Sequence, residues 1–129
     1  MADFMKPYHG ETYAILRIVS GLLFLVHGTS KIFDFPVATP AGTPAFVIWI
    51  GGGIELVGGA LIAIGYQTRW AAFVCSGLMA AAYWMAHGTK AFLPIMNGGE
   101  LAVVYCFLFL FIAAHGAGRY SLDGGAGRV

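Results

Sequence analysis

Four stretches of the chain, Tyr13–Ile32, Pro44–Tyr66, Trp70–Ala91 and Pro94–His115, are each about as long and as apolar as a helix that crosses a bilayer, for which about 20 residues suffice. In hydrocarbon every backbone N–H and C=O must be paired within the chain, so only helices and closed β-barrels can span it. A barrel strand alternates apolar and polar side chains with period two, and Leu101 to Ala114 shows no such alternation. The expected fold is therefore all-α. It is a polytopic membrane protein, a four-helix transmembrane bundle built from two similar helical hairpins, with residues 1–129 as one domain.

Local signals agree with these boundaries. Pro44 and Pro94 open their stretches, where a missing N–H costs nothing. Pro36 and Pro40 mark 33–43 as a loop, Gln67-Thr68-Arg69 is a tight turn, and glycines from Gly116 onward stop the last helix. The first apolar run is read as a retained helix, because Arg17 interrupts it and no small-residue cleavage site follows. Charged residues make up 10% of the chain, against about 25% in a soluble domain, so lipid is the expected surrounding. Seven Lys and Arg against six Asp and Glu create no basic field, which excludes nucleic acid as a partner. Lys6, Arg17, Arg69, Arg119 and Arg128 fall at one end of a four-pass bundle, and Lys31 and Lys90 at the other. The positive-inside rule then puts both termini in the cytoplasm of a bacterium, in its inner membrane.

Against this apolar background a polar signature is written twice. His27-Gly28-Thr29-Ser30-Lys31 closes the first stretch and His87-Gly88-Thr89-Lys90 the third. Each is followed by glycines and a carboxylate: Gly51-Gly52-Gly53-Ile54-Glu55, then Asn97-Gly98-Gly99-Glu100. Ionisable groups at membrane depth are expensive and mark candidate sites. Helical spacing gathers Ser20, His27 and Lys31 on one stripe, Tyr83, His87 and Lys90 on another, and Glu55 on a glycine face with Gly51, Gly58 and Gly59. The stripes are expected to converge on one site at the outer leaflet. His27, His87, Glu55 and Glu100 are its candidate proton-handling groups, and Lys31, Lys90, Tyr83 and Asn97 its candidate binding groups. Glu55 has His27, Arg17 or Lys31 as possible partners, and Glu100 has His87 or Lys90. The competing reading is that such pairs merely fix helix register. Cys75 and Cys106 lack the C-x-x-C spacing of a redox pair or zinc site, and no metal is expected.

With these residues in place, the chain resembles the DoxX family of small four-helix bacterial membrane proteins. The matching residues are Arg17 with Gly21, Phe24, His27-Gly28 with Lys31, glycine-flanked Glu55, Asn97-Gly98-Gly99-Glu100-Leu101-Ala102 with Tyr105, and the closing Gly116-Ala117-Gly118-Arg119-Tyr120-Ser121-Leu122-Asp123. The resemblance implies a redox setting. Relatives include the DoxD-type subunit of a membrane thiosulfate:quinone oxidoreductase, and others are associated with thiol stress or with quinone and catechol resistance.

The expected function is thus a redox-associated subunit that meets quinone at the His/Glu/Lys site beside a membrane or peripheral redox partner. Histidine titrates near neutral pH and suits proton transfer, while lysine stabilises developing negative charge. Haem between His27 and His87 is the weaker cofactor reading, since the neighbouring Lys and Glu side chains would crowd a macrocycle. The alternative class is a non-catalytic scaffold or a small-solute transporter, the latter calling for a homo-oligomer because four short helices enclose little volume.

Overall fold

The structure of the protein, a computed structural model, describes residues 3–124. A 3-10 turn over Asp3–Tyr8 runs into helix α1, His9–Phe33. After the proline-bearing loop, a π-turn over Val47–Gly51 continues into α2, Gly52–Ile64. Gly65 and Gln67, both with positive φ, turn the chain into α3, Thr68–Ala86. A single turn, α4 (Pro94–Asn97), precedes α5, Glu100–His115. The described residues are all-helical, without strands.

Two helix boundaries differ from the sequence expectation for visible reasons. The third helix stops at Ala86 instead of Ala91, because His87 leaves helical geometry at φ −129° and the Gly88 N–H turns back to the Tyr83 carbonyl. The fourth stretch is broken in two. Asn97 Oδ1 accepts the Gly99 N–H at 2.8 Å, a side-chain turn that competes with helix, and Gly98 adopts φ +77°, where a Cβ would be strained.

The first hairpin, α1 on α2, is packed backbone to backbone. Gly21 and Gly28 lie two turns apart on one face of α1, opposite Gly59 and Gly52 of α2. A Cβ on Gly21 would stand 2.6 Å from the Ala63 nitrogen, and one on Gly59 would stand 2.7 Å from the Gly21 carbonyl oxygen. Small residues permit this approach. The second hairpin sets α3 against α5, where Ser76 Oγ donates to the Cys106 carbonyl at 2.7 Å. Phe24, Ile62, Ala72, Cys75, Tyr105, Phe109 and Ile112 form the core between the hairpins.

At the end that carries the chain termini, Arg17 is fully buried. Its Nε donates to the Ile62 carbonyl at 3.0 Å, and Nη1 and Nη2 donate to the carbonyls of Ala117, Arg119 and Tyr120. Arg17 is therefore engaged by the closing run and not by Glu55. That run returns along the bundle end: the N–H groups of Leu122 and Asp123 donate to Ile64 and Gly65 carbonyls, and the Asp123 carboxylate accepts the N–H groups of Gln67 and Thr68 at 2.9 and 2.8 Å. Arg69 donates to the Ala113 carbonyl at 3.1 Å and the Ala114 carbonyl at 2.5 Å, at the end of α5. Arg128, counted above with the basic end, lies outside the described residues, as do Gly125 and Gly127.

Two helical stretches, Asp3–Phe33 and Val47–Ile64, are long and apolar enough to cross a membrane, with mean hydropathy 1.4 and 2.0. That is fewer than the four anticipated. The break at Gly98 leaves α5 apolar but short, and Arg69, Ser76, Gly77, Tyr83 and Trp84 dilute α3.

Candidate functional site

Lys31 stands in the last turn of α1 and Glu55 in the first turn of α2. The glycine contacts bring these helices close enough for a direct pair: Lys31 Nζ lies 2.7 Å from both Oε1 and Oε2 of Glu55. The Glu55 side chain is 4% exposed and that of Lys31 25%, so the carboxylate is enclosed and the ammonium keeps an opening. Burying one without the other would be costly.

The pair forms one wall of a cleft of about 240 Å³ between the hairpins, which His27, His87 and Tyr105 also line, with Phe24 and Met79 as apolar floor. Tyr105 is held by stacking on Phe109, ring centroids 5.4 Å apart and 11° from parallel. His27 meets the Tyr105 ring edge-on at 6.2 Å. His87 follows the end of α3. Its Nδ1 lies 3.0 Å from the Asn97 carbonyl oxygen; a carbonyl only accepts, so Nδ1–H donates and Nε2 keeps its lone pair or a second proton. Asn97 in turn donates from Nδ2 to Tyr83 Oη at 2.8 Å and to the Ala91 carbonyl at 3.1 Å. Tyr83 and Asn97 thus hold His87 in place without lining the cleft themselves.

The cleft brings together His27, Lys31, Glu55 and His87 from both halves of the repeat. Glu100 and Lys90 fall outside it: both are exposed, and neither has an ion-pair partner among the described residues. The reason is helical phase. The inward face of α5 runs through Tyr105, Phe109 and Ile112. Five residues at about 100° each put Glu100 about 140° away from Tyr105. Tyr105, named in the sequence only among the family-matching residues, is the site residue that spacing from Pro94 missed; its four-three spacing to Phe109 and Ile112 was a second signal. Among the described residues no group of three or more His, Cys, Asp or Glu could hold a metal ion.

A second polar cleft, about 300 Å³, lies at the opposite end beside Arg69, Trp70, His115 and Asp123. Its charged groups are already committed, Arg69 to helix-end carbonyls and Asp123 to helix-start amides. The inter-hairpin cleft differs in carrying two histidines beside a Lys–Glu pair.

Comparison with known proteins gives the DoxX family, whose model matches residues 12–88. An uncharacterized protein of Haemophilus influenzae is 41% identical over 92% of this chain and 93% of its own length. A Bacillus subtilis protein carrying the name "Putative oxidoreductase CatD" is 26% identical over 84% of this chain and 82% of its own. A second uncharacterized H. influenzae protein is 31% identical over 62% of this chain and 54% of its own. No solved structure matches.

Proposed function

The chain belongs to the DoxX family of small membrane proteins, and on that premise we propose that it is a redox-associated subunit of the bacterial inner membrane that binds a quinone ring in the inter-hairpin cleft. In this reading α1, α2, α3 and the α4–α5 pair are four passes. Lys6, Arg69 and Arg119 lie at the cytoplasmic end with both termini, and the cleft lies toward the outer leaflet. Exposed Val19, Leu22, Leu23 and Val26 on α1, Phe73 on α3, and Phe107 and Phe111 on α5 then face lipid. In water an apolar surface of that extent would be a liability.

The observation that carries the proposal is the convergence of two histidines, a buried ion pair and a stacked tyrosine on one cleft. A bound quinone would supply coupled electron and proton chemistry at two ring oxygens. The chain's own residues offer matching contacts. Lys31, held in place by Glu55, directs its ammonium group at an electron-rich oxygen. His87 Nε2, with its ring fixed through Asn97, and His27 are each able to hydrogen-bond a ring oxygen. The Tyr105 ring presents a flat apolar face. A cleft of about 240 Å³ is below the roughly 300–1,000 Å³ of pockets for drug-sized ligands, which suits one ring better than a haem macrocycle. The oxidoreductase name of the B. subtilis relative supports a redox role, exercised beside a membrane or peripheral redox partner.

Calorimetric titration of the purified protein in detergent with a tailless benzoquinone tests this. Saturable binding is expected, weakened about tenfold or more in His87→Ala and His27→Ala, because a site built to hydrogen-bond its ligand loses heavily when the bond is missing. Absence of saturable binding by the wild type would return the protein to the scaffold or solute-transport class.

A further inference from the structure

The polar cleft does not end at the ion pair. Lys31, Glu55, Met79 and Ala82 line it on one side and, on their other side, line a groove of about 270 Å³ between the π-turn and α3. The groove's remaining wall is almost wholly apolar and includes Val47, Ile50, Leu78 and Met85. Ile50 and Met85 are 62% and 62% exposed, so the groove opens on the surface that faces lipid in the four-pass reading.

Two further features mark this groove as more than loose packing. First, the helix widens into a π-turn at Val47–Gly51, where the Gly52 N–H is shared among the carbonyls of Val47, Ile48 and Trp49; such turns occur frequently at functional sites. Secondly, Gly51 is buried, yet a Cβ built on it would meet nothing within 4 Å. Glycine inside a helix is less favourable than alanine. Here, unlike at Gly21 or Gly59, no neighbouring backbone requires it. What the missing side chain keeps clear is the groove.

We infer that the groove takes the hydrocarbon tail of the molecule whose ring sits in the cleft, so that the ligand class is a tailed, membrane-resident quinone entering sideways from the bilayer. This rests on the quinone reading of the cleft. The ring end meets the polar groups, the tail passes the Lys31–Glu55 pair, and the groove returns it to lipid without exposing it to water. A wider cavity of about 560 Å³ also adjoins His27 and Lys31; it lies under the 33–43 loop, and its apolar lining of Leu23, Val26 and Val37 is interrupted by Ser30, Thr39 and Thr43, whereas the groove wall carries no hydroxyl.

Gly51→Leu separates the alternatives, because its backbone is helical, φ −61°, a Cβ there meets nothing within 4 Å, and Gly51 itself lines the groove. Binding of two probes to the full chain is measured by calorimetry: a methoxy-substituted benzoquinone without a tail, and the same ring carrying a decyl chain. Each probe is compared with itself between wild type and variant, so partitioning into detergent cancels. The expected result is an unchanged affinity for the tailless ring and a loss of about tenfold or more for the tailed one, with an unfolding temperature no lower than wild type. A photoreactive group at the tail end is expected to label Val47, Ile50 or Met85. Equal effects on both probes, no effect on either, or labelling of Leu23 or Val37 beside the wider cavity, would overturn the groove while leaving the ring site standing. If the wild type binds neither probe, the ring reading itself falls.

Discussion

The two ends of the molecule use the same kinds of residue to opposite effect. At the terminal end the charges are mostly spent on backbone: Arg17 answers carbonyls from α2 and the closing run, Arg69 answers the last carbonyls of α5, and Asp123 answers the first amides of α3, while Arg119 pairs with Glu11. At the other end Lys31 is matched by one carboxylate, His87 commits only Nδ1 to the Asn97 carbonyl, and His27, His87 and Tyr105 border the cleft. A buried cation surrounded by carbonyls is structural. A cation and imidazoles around a cleft have capacity left for something that enters it. The sequence alone does not distinguish the two, since Arg17, Lys31, His27 and Glu55 are all isolated polar residues in apolar helices.

Substitutions can break this contrast, and the largest effect belongs to the closed end. Arg17→Ala leaves four carbonyls without their donor. Lost buried hydrogen bonds cost about 1–3 kcal/mol each, and with water reaching some of them a total of about 3–5 kcal/mol is expected, read as thermal stability in detergent. Arg17→Lys recovers only part, because one ammonium cannot replace a planar fork. Glu55→Gln comes next. It leaves Lys31 unpaired, and the expected loss is about 2–3 kcal/mol, at or below the usual range for a buried pair because Lys31 retains access to solvent; ring binding should weaken with it.

Asp123 gives a smaller effect with a definite pH signature. Burial pushes its carboxyl up, but the N–H donors of Thr68 and Gln67 and the Arg17 charge outweigh that and hold it below its ordinary 3.8. A depressed folded pKa means stability that is present above pH 3.8 and lost as pH falls through the folded value. Asp123→Asn turns one of the two acceptor oxygens into an NH2 and removes the charge, so it should cost about 1–3 kcal/mol, the worth of a hydrogen bond to a charged group, at neutral pH, and the gap to wild type should narrow as the solution is acidified below that point. A gap that stays constant with pH would show that the charge is not what caps α3. The smallest effect is assigned to Glu100→Gln, within about 0.5 kcal/mol of wild-type stability as for ordinary surface changes, with ring binding unchanged. A marked loss of binding there would restore the symmetric site that the repeated motif first implied.

Much of the fold was legible because length and hydrophobicity act over whole segments. The helical character of each stretch, the loop at Pro36 and Pro40, and the stop at Gly116 all follow from such signals. The break at Asn97-Gly98-Gly99 was written in turn-forming residues, but an apolar run beginning at Pro94 concealed it. Once the helix restarts at Glu100 its phase is new, which is why Tyr105 lines the cleft and Glu100 does not. The Lys31–Glu55 pair was one of three candidates. Choosing it depended on knowing that Arg17 is claimed by the closing run, a contact between residues 100 or more positions apart that helical periodicity cannot express.

The binding of Arg17 to carbonyls of α2 and of the segment after α5 has a mechanical consequence. It ties α1 to the segment after α5 at one end, while beside the cleft the hairpins meet through aromatic packing of Phe24 and His27 on Tyr105, so a rocking of one hairpin against the other would take the Arg17 contact as its pivot. His27 lies ten residues, about 15 Å, beyond Arg17 along α1. A rocking of about 4° at the pivot therefore moves His27 by about 1 Å, a misplacement large enough to cost about a hundredfold in rate where reacting groups must be aligned. A substitution that loosens the Arg17 guanidinium is thus expected to be felt at the cleft as well as at the end where it sits.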